Sequence, residues 1–484
     1  MSSLPLSFAT SAAMPLPARS LLACALSLAL LAAAPLGAAA SAASCRLPNR
    51  QARRDVALGF PRIANRMRPT GVVNVSVLFV DFPDAAEERP PAETLAILAP
   101  AADWYAQVSY GAMRLRLLPL PVTLRMPQNS TSYSFRTVGS QRHYLAEATK
   151  LASAHPHRWD FAQSESVVVL ATPLARALAN GPAFCATKGQ GFKASGRTFE
   201  NSLTSGADFD FWLHKWLNHE MGHTMALVDL YSYGEGPEFR YTGDWSIMGN
   251  IAGKGGSYFG WERFLLGWMP DARVACVDEA GSSQFALAAL NDAALGDAPR
   301  LVVVKIAPTV AVCVELRAAL GLDANISQPG VLVYVVDTSV QSGEGPLQVL
   351  PLNASDRTMM SSTLAAPGAA IEFRGARVEL LELGERSARV NVTSPGVARP
   401  SASPAPPQPA ADTRSLASAW AYVGGGLAGA LVLLAAVCLV ADKAGLMRGA
   451  SAPAGPAAGA GAGAGAAPLL GGDSDYYSAF APSL

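Results

Sequence analysis

The sequence predicts an α+β fold, and three patterns predict it. Strand-like and helix-like runs alternate through the first half of the chain, as in a mixed sheet with helices packed on it. Near residue 211 an amphipathic run carries a cluster of titratable side chains at helical spacing. After residue 273 strands dominate, and one long uncharged apolar run follows. The chain has 484 residues, 50% hydrophobic and 15% charged, enough for a large core and additional segments. Lysine plus arginine balance aspartate plus glutamate at 37 each, so nothing in the charge favours nucleic acid as a partner.

Taken in order, Arg19, an apolar run over 21–36 and small residues over 37–43 have the layout of a secretory signal peptide at 1–43. Residues 44–69 are a basic extension. Arg50, Arg53 and Arg54 make it either a pro-segment with a cut site or an ordinary exposed basic stretch. The β-branched run 72–82 predicts a buried strand, 91–110 a helix closed at Gly111, 113–117 a half-exposed strand, 140–154 a helix and 166–171 a second buried strand. These elements open an expected domain over 70–272.

The run 211–225 follows Asp208 and Asp210, either of which can cap a helix. Its apolar residues Trp212, Leu213, Trp216 and Leu217 recur at helical spacing. His219 and His223 then lie one turn apart on one face, with Glu220 beside them. Two neutral imidazoles and a carboxylate standing off them outline a Zn2+ site with a general base. A catalytic zinc takes three protein ligands. Asp229 supplies the third if the chain turns sharply after Met225, but Ala226 occupies the turning position where glycine would take a positive φ without strain. Glu235, Glu238 and Glu262 are the alternatives. Met248, in a Ser-Ile-Met-Gly turn, can form an apolar floor under the imidazoles. Tyr231 is either an oxyanion donor or packing. Cys45 can cap a metal as a thiolate or pair with Cys185.

His219-Glu-Met-Gly-His-Thr-Met-Ala-Leu-Val-Asp-Leu-Tyr231 and Trp245-Ser-Ile-Met-Gly249 resemble the active-site block and methionine turn of the immune-inhibitor-A-like zinc metalloproteases. Val80-Asp-Phe-Pro-Asp84, Trp104-Tyr-Ala-Gln-Val-Ser-Tyr-Gly111, Gly267-Trp268, Glu315-Leu-Arg317 and Gly330-Val-Leu-Val-Tyr334 match that family's pattern in order. The resemblance implies a zincin-like catalytic domain acting on protein or peptide substrates. In it His219 and His223 take the zinc-ligand roles, Glu220 the catalytic role and Asp229 the acidic place. Gametolysin-like proteases are a second resemblance, with histidine where Asp229 stands.

A β-rich module is expected over 273–395 from runs at 300–306, 310–316, 330–336, 377–381 and 388–392. A Pro/Ala/Ser stalk follows at 396–414. The uncharged stretch 415–441 reads as one transmembrane helix, with Lys443 and Arg448 after it, and 442–484 as a disordered cytoplasmic tail. Sequons at Asn74, Asn129, Asn325, Asn353 and Asn391 fit a type I protein with its bulk at the cell surface or in the secretory-pathway lumen. Of 6 cysteines, Cys276 and Cys313 are the first candidate disulfide, because each borders a strand-like run in one region. The expectation is a membrane-anchored extracellular zinc endopeptidase. Its rival is a catalytically silent ectodomain used for adhesion or binding.

Overall fold

Strand β1 (Gly71–Asp81) is apolar on both faces, and both faces are covered. The computed structural model describes residues 42–51, 55–294 and 296–397. In it β1 pairs in parallel with β2 (Met113–Arg125) and β3 (Ser166–Ala171). The sheet continues through β7 (Asn201–Thr204) to an antiparallel edge strand β4 (Ala183–Cys185), giving the order β2-β1-β3-β7-β4. A hairpin of β5 (Phe192–Ala194) and β6 (Arg197–Phe199) lies between β4 and β7 in sequence. Val73, Val75 and Val77 of β1 face a core shared with the helices Pro91–Leu98, Pro100–Val108 and His214–Thr224, whereas Leu78 and Val80 face the helix Val138–Ala154. The last helix starts at a capping box between Thr137 and Ser140, a feature that stabilises a helix start by about 1 kcal/mol.

The second sheet is also buried on both sides. Strands β8 (Val274–Val277), β10 (Leu301–Lys305), β11 (Val310–Arg317), β12 (Gly330–Asp337) and β13 (Leu347–Val349) form it, with β14 (Thr363–Leu364) on β12. Side chains alternate along them: Leu301, Val303, Cys313 and Tyr334 point into the core that carries the motif helix. Val302, Val304, Val312 and Val333 point instead onto the antiparallel sheet of β9 (Ala280–Ala288), β15 (Ala370–Phe373), β16 (Ala376–Leu383) and β17 (Ser387–Pro395). Strands beyond residue 273 thus close the core beneath the site.

Several expectations are corrected. The architecture is α+β with mixed sheets and few helices among the described residues, in place of the zincin-like domain, trailing module and spanning helix read from the sequence. None of the described helices is long and apolar enough to cross a membrane. The expected span 415–441 lies outside the described residues, as do the stalk, the tail and residues 1–41 of the signal peptide. The helix expected over 91–110 divides at Ala99, where Pro100 cannot donate its missing N–H to the preceding turn. The motif run divides at Leu213, with φ 55°, into Phe209–Trp212 and His214–Thr224. Neither acid caps the motif helix. Asp208 accepts from the N–H groups of Gly181 (3.0 Å) and Gly206 (3.1 Å), and Asp210 pairs with Arg89.

The disulfide joins Cys45 to Cys276, with Cα atoms 5.7 Å apart, and not Cys276 to Cys313. Val303 of β10 sits opposite Cys276 on one side and opposite Cys313 on the other. The two cysteines are therefore two strand spacings apart, roughly 9–10 Å, beyond the reach of about 7 Å that a disulfide allows. Cys313 is free and buried, and Cys185 is free.

Candidate metal centre

The motif helix is anchored by its apolar side. Trp216, Leu217 and Met221 are fully buried, each such burial contributing on the order of 2 kcal/mol, and the Trp216 indole N–H donates to the Gly181 carbonyl at 2.7 Å. Tyr105 and Tyr258 both donate their hydroxyls to the Asn218 carbonyl. With that side fixed, His219 and His223 project together on the other, their ring centroids 4.9 Å apart.

Each imidazole is then oriented by a main-chain carbonyl. His219 Nδ1 lies 2.7 Å from the Ile247 oxygen and His223 Nδ1 lies 2.9 Å from the Leu227 oxygen. A carbonyl only accepts, so each Nδ1 carries a proton, and a ring in its neutral form presents the Nε2 lone pair. Both Nε2 atoms lie 3.2 Å from Asp229 Oδ1. That carboxylate oxygen is buried and has no donor of its own among the described residues. With both rings neutral, three electron pairs face one another, with the ligand atoms all within 4.8 Å. Such an arrangement repels itself unless a cation sits among the three, which is the test these residues pass as a metal site. A proton is the other way to supply positive charge. Burial pushes His223 down, but the charge and hydrogen bond of Asp229 outweigh it and carry His223 up to about 9. Burial would raise Asp229, yet His223 and His219 hold it well below the usual carboxylate range.

The third ligand arrives because the chain does turn. Ala226 adopts φ 89°, at a cost on the order of 1–2 kcal/mol for a residue with a Cβ, while its N–H donates to His223 O at 2.9 Å and Leu227 N–H donates to Gly222 O at 3.0 Å. Asp229 is next fixed by groups that the sequence reading missed. Tyr233 donates its hydroxyl to Asp229 Oδ2, Ser342 Oγ accepts from the Asp229 N–H at 3.0 Å, and Gly343 N–H donates to the Asp229 carbonyl at 3.2 Å. Gly343 has φ 74°, and a Cβ there would meet the Tyr233 ring at 2.1 Å. Only that glycine, followed by Gly345 in a loop, hinted at close backbone approach. Glu235 and Glu238 are exposed and stand apart from the cluster. Glu262 is buried elsewhere, accepting from Phe259 N–H (2.7 Å) and Ser246 Oγ (3.2 Å).

Glu220 is held by the sheet edge: Ala183 of β4 donates its N–H to Glu220 Oε2 at 2.7 Å. Burial raises the pKa of this carboxyl, with the two histidines opposing. Met248 is fully buried directly on the helix, since a Cβ at Gly222 would lie 2.6 Å from its sulfur. The same turn supplies the Ile247 carbonyl to His219 and the Met248 carbonyl to Leu230 N–H (2.9 Å). Tyr231 stacks on His219, centroids 6.2 Å apart at 21°. Cys45 cannot cap the site as a thiolate, because it is in the disulfide. Among the sequons Asn129, Asn325 and Asn353 are exposed. Asn74 and Asn391 are half-buried in β1 and β17, and the Asn74 amide donates to Gln163 O at 3.2 Å.

No protein-family model matches the chain, and no curated protein matches it.

Proposed function

We propose that the protein is a zinc-dependent endopeptidase, with His219, His223 and Asp229 as the metal ligands and Glu220 as general base and acid. The observation that carries this is the convergence of two oriented Nε2 atoms and a buried, undonated Asp229 oxygen beside Glu220, whose carboxylate the Ala183 N–H holds. When bound, zinc lowers the pKa of water toward about 7 and polarises a carbonyl. The chain's own residues do the rest. Carbonyl hydrogen bonds keep both imidazoles in one tautomer, and Tyr233 keeps Asp229 turned inward. Glu220 takes a proton from the attacking water and returns it to the leaving amine, and the Ala183 N–H holds its carboxylate at the sheet edge for that task. Tyr231, stacked on His219, is the candidate oxyanion donor. The Cys45–Cys276 bond supports an oxidising compartment, extracellular or lumenal, with protein or peptide substrates. The motif blocks that resemble immune-inhibitor-A-like proteases support the same chemistry.

The test is cleavage of denatured casein by the purified protein beside its Glu220→Gln form. Cleavage only by the parent, with zinc retained in both, is expected. Equal cleavage by both, or none by a zinc-loaded parent, contradicts the assignment, and the second result leaves the binding module.

A further inference from the structure

The turn that brings in the third ligand is held from outside the helix. The last carbonyls of a helix have no partner within it. Here the last helix carbonyl and the two that follow it are met by one segment near the N terminus: Met67 N–H donates to Thr224 O at 2.7 Å, Arg62 Nη1 donates to Met225 O at 3.2 Å, and Ala57 N–H donates to Ala226 O at 2.9 Å. Arg62 Nη1 also donates to Met67 O at 3.2 Å, which closes the segment on itself. Val56, Ala57, Leu58 and Met67 are buried, and Leu58 O accepts from the Trp261 indole at 2.9 Å. The preceding residues are tied down as well. Leu47 and Asn49 exchange main-chain bonds with Phe60, and Cys45 is bonded to Cys276. Arg50 N–H donates to Thr338 O at 3.2 Å, at the start of the loop whose Ser342 and Gly343 hold Asp229.

We infer that residues 55–69 are a permanent clamp on the metal-ligand turn and that Arg62 is a positioning residue of the metal centre. The segment does the work that glycine would do at position 226. Ala226 is strained at φ 89°, and its carbonyl and the two before it are fixed by the clamp. That turn places two ligand features at once: the Leu227 carbonyl that orients His223, and Asp229 itself. Removal of the segment as a pro-peptide would take the third ligand away with it. The inference rests on the metal reading of the site.

The test is zinc affinity, by competition with a chromophoric chelator, for the parent, Arg62→Leu, Ala226→Gly and the double variant. Loss of an outer-shell partner costs about tenfold or more in metal affinity, and that loss is expected for Arg62→Leu in the parent. Ala226→Gly should bind at least as tightly as the parent, because glycine takes the turn without strain. In that background Arg62→Leu should cost roughly threefold or less, the signature of two groups acting on one turn. Parent affinity in Arg62→Leu, or the same loss in both backgrounds, overturns the inference. Should Arg62→Leu fail to fold, Arg62→Lys, which keeps the charge and loses the planar fork, is read in its place. A parent that binds no zinc sinks the metal reading alone. The clamp is then judged by amide hydrogen exchange over 226–229, faster in the Arg62 variant if the clamp is real and unchanged if it is not.

Discussion

Two buried clusters of ionisable side chains lie near the methionine turn, and they differ in one respect. Arg317 on β11 bonds Asp323 through Nε and Nη2, both at 2.6 Å, and Glu315 through Nη1 at 3.1 Å. Glu315 Oε2 also accepts from Tyr334 at 2.8 Å and from Gly260 N–H at 2.7 Å, and all three charged side chains are fully buried. Every carboxylate oxygen has a donor, and the remaining guanidinium protons reach Trp245 O and Ser257 Oγ. At the metal centre, with both imidazoles neutral, the oriented atoms are all acceptors. Burial of charge therefore does not mark a site by itself. A shortage of donors does. The first cluster ties the turn at Trp245 to the second sheet, and the second uses the same turn through Ile247.

The largest effect expected from this contrast is at Arg317. Arg317→Leu leaves Glu315 and Asp323 buried without their cation, and should cost about 3–5 kcal/mol in denaturant unfolding. A loss under about 1 kcal/mol would show that the network is not self-contained. Next is metal removal. With free zinc at a hundred times Kd, the parent should gain about 2.7 kcal/mol over the chelated form, read as a rise in Tm, and Asp229→Asn should gain far less.

Glu262 is the intermediate case, with Oε2 satisfied and Oε1 buried without a partner. Burial pushes its pKa from 4.5 up to about 8, so the folded protein keeps a proton that the unfolded chain releases. Its contribution is full below pH 4.5 and is lost as pH rises toward 8. Glu262→Gln should flatten the slope. An unchanged pH dependence of Tm would remove Glu262 from the account. The smallest effect is at Tyr233. Tyr233→Phe frees Asp229 Oδ2 and should weaken zinc about tenfold, some 1.4 kcal/mol, with the fold intact. A cobalt-substituted form should show the changed coordination in its visible spectrum, and an identical spectrum and affinity would contradict the orienting role.

What could be read in the sequence was whatever a local period determines. Helical spacing put His219 and His223 on one face, and β-branched runs gave β1, β3 and β12 within a residue or two. The short strands β4 to β7 were missed because three or four residues carry no period, although β4 positions Glu220. Ala226 misled for a physical reason. Glycine would make the turn by its own freedom, whereas here Ala57, Arg62 and Met67 hold the carbonyls around it, and contacts from so far along the chain leave no local trace. The cysteines show the same limit: neither the strand between Cys276 and Cys313 nor the packing of Cys45 against Cys276, 231 residues away, leaves a local trace.

The most direct test of the central claim is metal content after dialysis against zinc, in the parent and in Asp229→Asn. About one zinc per chain in the parent and little in the variant is the expected result. No zinc in the parent, or the same tight zinc in both, would contradict the claim that these three side chains converge on a metal.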